Sequence, residues 1–159
     1  MGVRAEPGAQ STRLALLDDE LPHTYVLLTP ASQIAPKVCR DFVTSVLSAS
    51  ELAGLVDAAA LCVSELVTNV HQHAVGDARL TVTVEPARVR FAVHDEDPRL
   101  PAPRTATTAD THGRGLFLVA ALADLCGTSA SGEAGDEPDA DEPGKTVWCE
   151  FNVPLGGAS

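Results

Sequence analysis

The chain has 159 residues, one domain's worth and enough to bury a core. Its 45% hydrophobic and 21% charged residues are the composition of a globular protein and exclude a disordered chain. A net charge of -11 excludes unaided binding to nucleic acid or an anionic membrane, and suits protein partners or a metal-bridged nucleotide.

Residues 1–20 mix Gly, Pro and charge without a period and read as a flexible lead-in, with Leu14, Leu16 and Leu17 as a candidate docking segment. Residues 23–29 are β-rich and stop at Pro30, which predicts a first strand. Ile34, Val38, Phe42, Val46 and Leu47 recur at helical spacing and predict a helix over 34–48, with Pro30 and Ser32 as start signals. A second helix is expected over 50–75, where Leu52, Leu55, Val56, Ala59, Val63, Leu66, Val67, Val70 and Ala74 form a continuous stripe. Ser50 is read as its N-cap, Glu51 as a first-turn acid and Gly76 as its stop.

Alternation predicts strands over 78–84 and 87–94, joined by a turn at Glu85-Pro86. The second carries Val89, Phe91 and Val93 on one face and ends at Asp95. Residues 96–112 contain Pro98, Pro101 and Pro103 and no apolar period; so long a loop in a compact domain reads as a lid. His112-Gly113-Arg114-Gly115 then opens a helix with Leu116, Val119, Ala120, Leu122, Ala123 and Cys126 as its core face, closed by Gly127. Residues 128–144 are small or acidic (Glu133, Asp136, Glu137, Asp139, Asp141, Glu142) and read as a solvated connection. Residues 145–153 alternate again and end at Pro154, a last strand. The order β-α-α-β-β-α-β predicts a two-layer α+β sandwich over 21–155, with a mixed, mostly antiparallel sheet and helices on one face.

Four cysteines are present without a C-x-x-C pair. Cys39, Cys62 and Cys126 fall in apolar helical patterns and Cys149 in a strand, as buried free thiols of a reducing cytosol do. The N-terminus has no apolar core of signal-peptide type, and no run approaches membrane-spanning length, so a cytoplasmic protein is expected.

Glu65, Asn69 and His73 follow at i, i+4 and i+8, which stacks a carboxylate, an amide and an imidazole along one edge of the second helix. Such a row is ordinarily a solvated face. On a helical wheel His73 lies nearest the apolar stripe, Asn69 further round and Glu65 almost opposite, as on a helix with core beneath and a cleft along its flank. A carboxylate can accept a proton, and an amide oxygen is a hard ligand suited to Mg2+. Glycines at 113 and 115 ahead of a helix leave backbone N–H groups facing outward, a phosphate cradle or simply a turn. Asp95 can accept a hydrogen bond from an exocyclic amine or merely end its strand. Gly144-Lys145-Thr146 offers a hydroxyl or a plain turn. His71 and His73 make a poor zinc pair, because i and i+2 diverge on a helix.

Three stretches in this order resemble the GHKL ATP-binding superfamily, most closely its small anti-sigma-factor serine-kinase branch: Ser-Glu-Leu-Val-Thr-Asn-Val-His-Gln-His-Ala at 64–74, Gly-Arg-Gly-Leu-Phe-Leu-Val at 113–119 and Gly-Lys-Thr-Val-Trp-Cys-Glu-Phe at 144–151. The resemblance covers roughly residues 22–154 and implies ATP and Mg2+ as cofactors. It implies that Glu65 orients or deprotonates the attacking hydroxyl, that Asn69 binds Mg2+, and that His73 sits near the phosphates. Asp95 would hydrogen-bond the adenine amine with Thr146 in support. Gly113, Arg114, Gly115 and Leu116 would close on the phosphates, with Arg99 and Arg104 of the lid as further positive charge. One departure stands out: the family's first glycine box reads Asp-x-Gly-x-Gly, and here Asp95-Glu96-Asp97-Pro98-Arg99 keeps the aspartate without the glycines. The partners implied are a sigma factor and a STAS-domain antagonist, with no nucleic acid or membrane and with homodimerisation left open. A non-catalytic binding module of the same fold is the alternative. The catalytic half of a histidine kinase is the third reading, disfavoured by the lack of a preceding helical hairpin with a phosphoacceptor histidine.

Overall fold

The computed structural model describes residues 22–73, 76–95, 114–130 and 144–154. Among the described residues, five strands and three helices follow in the order β1 (His23–Thr29), α1 (Ala35–Ala49), α2 (Val56–His73), β2 (Ala78–Val84), β3 (Arg88–Asp95), α3 (Arg114–Leu122), β4 (Leu125–Ala130) and β5 (Lys145–Asn152), with a 3-10 turn at Ala53–Leu55 before α2. The strands form one sheet in the order β1-β2-β3-β5-β4. Every pairing in it is antiparallel, so the expected α+β sandwich is present and the mixed sheet is not. The connection from β3 through α3 delivers β4 beyond β5. β5 then inserts between the two strands that run the same way.

Alternation decides which side of the sheet meets the helices. Leu80, Val82 and Val84 of β2, Val89, Phe91 and Val93 of β3, and Val147, Cys149 and Phe151 of β5 are buried in one cluster. The same cluster takes Val43 and Leu47 from α1, Val63, Leu66, Val67 and Val70 from α2, and Val119 from α3. Phe91 and Phe151 meet edge to face at its centre, ring centroids 5.9 Å apart. α1 and α2 are tied by Arg40 Nη1 donating to Ser64 Oγ at 3.0 Å.

Two boundaries differ from the sequence reading, each for a local reason. Ser50 and Glu51 do not begin the second helix; they end the first. Leu52 N–H donates to Leu47 O at 2.8 Å and Glu51 N–H to Ser48 O at 3.2 Å, the paired bonds of a Schellman motif. Glu51 therefore takes a left-handed φ of 57°, where glycine is usual, and α2 starts only at Val56. At the other boundary α3 stops at Leu122, and 125–130 is a strand, not the end of a helix and the start of a solvated connection. Asp124 makes the switch: its N–H donates to Glu150 O at 3.0 Å and its carboxylate accepts from Asn152 N–H at 2.7 Å, which draws the chain onto β5. Gly127 lies in that strand opposite Trp148, and a Cβ there would stand 2.7 Å from the indole ring. Arg90 covers the ring at 4.5 Å. Cys126 is accordingly exposed on β4 and not part of a helical core face, while Cys39, Cys62 and Cys149 are buried free thiols as expected. Ala120 and Leu122 are also exposed, which leaves Val119, with Leu116 and Ala123 half-buried, as the contact of α3 with the core.

The span Ala53–Gln72 is long and apolar enough by composition to cross a membrane, at a mean hydropathy of 1.4, contrary to the expectation that no run approached that length. Here its apolar stripe is the centre of the core. The lead-in at 1–20, the lid at 96–112 and the acidic residues 131–143 lie outside the described residues.

Candidate nucleotide site

α2 crosses the sheet with one flank toward α1 and the other toward α3. The second flank carries Glu65 and Asn69, both half-buried. Glu65 was placed almost opposite the core by its helical angle; α3 packs there and covers it. The contact is specific: a Cβ built on Gly115 would stand 2.5 Å from Glu65 Oε2 and 3.5 Å from its Cδ. Only glycine lets the first turn of α3 come this near the carboxylate. The N–H groups of that turn have no intrahelical acceptors, and the helix end favours negative charge. The fold thus joins two sequence stretches about fifty residues apart, the polar helix row and the glycine-led helix start.

Other expected site residues are placed less completely. His73 closes α2 and Arg114 opens α3, and their side chains lie outside what is described, as does Gly113. Leu116 is half-buried against the core, so its side chain serves packing. Below the flank, Cys62 of α2 meets Cys149 of β5; the hydrogen bond that the Cys149 thiol donates to Cys62, together with burial, pushes the Cys149 thiol up. Burial alone pushes the Cys39 thiol up to about 11. No group of three metal-ligating side chains occurs among the described residues.

At the far end of the sheet the sequence reading is corrected. Asp95 is 1% exposed on the helix side of β3. Thr146, assigned to support it, is not on that side. Strand pairing sets Thr146 opposite His94, and its hydroxyl lies 3.0 Å from His94 Nδ1 on the open face of the sheet. The residue paired with Asp95 is Lys145, itself 3% exposed, with Nζ 3.7 Å from Asp95 Oδ2. The signal was present in the sequence: Lys145 has the same parity as Val147, Cys149 and Phe151, so period-two alternation puts it on the buried face and Thr146 on the other.

These residues fit an ATP·Mg2+ ligand at its phosphate end, where the space a Cβ of Gly115 would fill adjoins the Glu65 carboxylate at a helix start whose first N–H groups lack intrahelical acceptors. At the base end a buried acceptor is present, faced by Lys145 Nζ at 3.7 Å in an ion pair longer than a hydrogen bond.

A single sheet backed by helices, with a polar helix flank meeting a glycine-led helix terminus, is the arrangement of an ATPase-type nucleotide domain. Residues 29–140 match the family model described as a histidine kinase-like ATPase domain. The match spans more than half of the chain, and the protein belongs to that family, the GHKL type. It takes in Glu65, Asn69, His73, Asp95 and residues 113–116 and stops before β5. No curated relative matches the chain.

Gly115→Ala is expected to leave the fold almost unchanged, because the obstacle is the free end of a flexible glutamate and alanine favours a helix by up to about 1 kcal/mol. It should nevertheless turn the Glu65 carboxylate away from α3. Thermal unfolding and nucleotide titration of the same variant check this: an unfolding midpoint within a few degrees, with loss of nucleotide affinity.

Proposed function

We propose that this protein is a cytoplasmic ATP-binding regulator that holds a sigma factor and phosphorylates a serine on a STAS-domain antagonist. The observation that carries the reading is the Glu65 carboxylate lying directly against Gly115 at the start of α3. It puts a proton acceptor beside backbone donors suited to a phosphate, which is what phosphoryl transfer asks of a protein, namely positioning and electrostatics. Bound ATP·Mg2+ would supply the transferable phosphoryl group and the cation that offsets its charge. Asn69, one turn along α2 from Glu65, would hold the cation; the N–H groups of α3 would face the phosphates; Glu65 would orient or take the proton of the incoming serine hydroxyl. Four thiols without a disulfide among them agree with a reducing compartment.

A second reading, a partner-switching module that uses ATP weakly or not at all, is favoured by the engagement of Asp95 by Lys145 and by the missing glycines at 96–99. One experiment separates the two: calorimetric titration with ATP and Mg2+, followed by transfer of radiolabelled phosphate to a STAS-domain protein. Asn69→Ala is expected to weaken Mg2+-dependent ATP binding by more than about tenfold, with the unfolding midpoint retained. Unchanged affinity in that variant would remove Asn69 from the site, and binding without transfer in the wild type would favour the second reading.

A further inference from the structure

The ion pair between Asp95 and Lys145 has a consequence for what the cleft accepts. A lysine at the first residue of a strand ordinarily runs its stem along the surface and puts its ammonium in water. Lys145 does the reverse: it is 3% exposed and its Nζ is turned to a carboxylate that is 1% exposed. The two residues are directly opposed across β3 and β5, so the approach is set by strand register and is not an accident of a mobile side chain. The parity of both strands puts the pair on the helix side of the sheet, the side that carries Glu65 and Gly115.

We propose that Lys145 is the affinity-setting residue of this cleft, its ammonium engaging the Asp95 carboxylate that would otherwise accept the exocyclic amine of a purine base. The inference rests on reading Asp95 as the contact for that base. At 3.7 Å the ammonium attracts the carboxylate through charge and not through a hydrogen bond, and a small approach would turn it into a contact stronger than a neutral amine makes with the same carboxylate. A purine nucleotide therefore binds only by displacing Lys145 or sharing Asp95 with it, and gains less at its base end than at its phosphates. The phosphate end, built from α2 and the start of α3, is independent of this contest. The protein accordingly discriminates less between a nucleotide and a bare polyphosphate than an uncontested aspartate would allow.

The test is calorimetric titration of wild-type protein, Lys145→Thr and Lys145→Gln with ATP and with inorganic tripolyphosphate, each with Mg2+. Both substitutions remove the ammonium; glutamine retains a neutral donor should threonine compromise folding, which thermal unfolding reports. The expected result is a gain of at least about tenfold in ATP affinity, with tripolyphosphate affinity unchanged. ATP affinity that stays the same or falls in both folded variants would overturn the role of Lys145 while leaving ATP binding intact. An equal gain for tripolyphosphate would overturn it too, since the effect would then be bulk charge. Binding of neither ligand to any of the three proteins would sink the ATP reading and the inference with it.

Discussion

Phe91→Ala is expected to cost about 3–5 kcal/mol of folding stability. Phe91 is completely buried at the middle of the central strand and packs edge to face on Phe151 from the neighbouring strand. Removing the ring takes away its own transfer energy and leaves a cavity between two layers that backbone hydrogen bonds keep from collapsing. Against a total stability of about 5–15 kcal/mol for a domain of this kind, the loss is a large share. Chemical denaturation followed by the fluorescence of Trp148, the sole tryptophan, should show a lower midpoint with the same denaturant dependence. Phe117 provides the contrast. It is 76% exposed on α3, and its replacement by alanine should stay within about 0.5 kcal/mol. Equal effects at the two positions would mean that the core is not where the burial pattern puts it.

Asp95→Ala should have an effect of the same order for a different reason. It takes away the carboxylate facing a lysine that is almost wholly buried. Truncating one member of a buried ion pair typically costs about 3–5 kcal/mol, because the remaining charge keeps its desolvation cost and loses part of the attraction that offset it. The double variant Asp95→Ala/Lys145→Met should recover most of the loss, since a buried pair and an apolar replacement are often nearly equal in energy. Denaturation of the two single variants and the double one completes a cycle whose coupling term measures the pair. Additive losses would show that the two side chains do not depend on each other.

Much of the fold could be read from the chain because its signals are local. The apolar stripe of α2 and the alternation of β2, β3 and β5 each identify their own buried face, and Val63, Leu66, Phe91 and Val147 are in the core as their periods require. Where the reading slipped, a longer-range bond competed with the local pattern. Cys126 continues the helical spacing of α3, but Asp124 is bonded to β5 and turns the segment into a strand. Ser50-Glu51 has the composition of a helix start, but the bond from Leu52 to Leu47 makes it a helix end.

The candidate site divides in the same way. Residue types and their order pointed to Glu65, Asn69, Asp95 and the glycines at 113 and 115, and the family match spans these positions. No pattern within either segment could reveal that Glu65 lies against Gly115, since that depends on how two helices pack. The choice between Thr146 and Lys145 as the neighbour of Asp95 was settled by strand register. Alternation says which residues share a face, whereas only pairing with β3 says which of them stands opposite the carboxylate. The sequence by itself therefore determined most of the elements, the buried faces of α2, β2, β3 and β5, and the chemistry available. The tertiary structure decided which of those groups meet, because contacts between distant segments are set by packing and register and not by the spacing of residues along the chain.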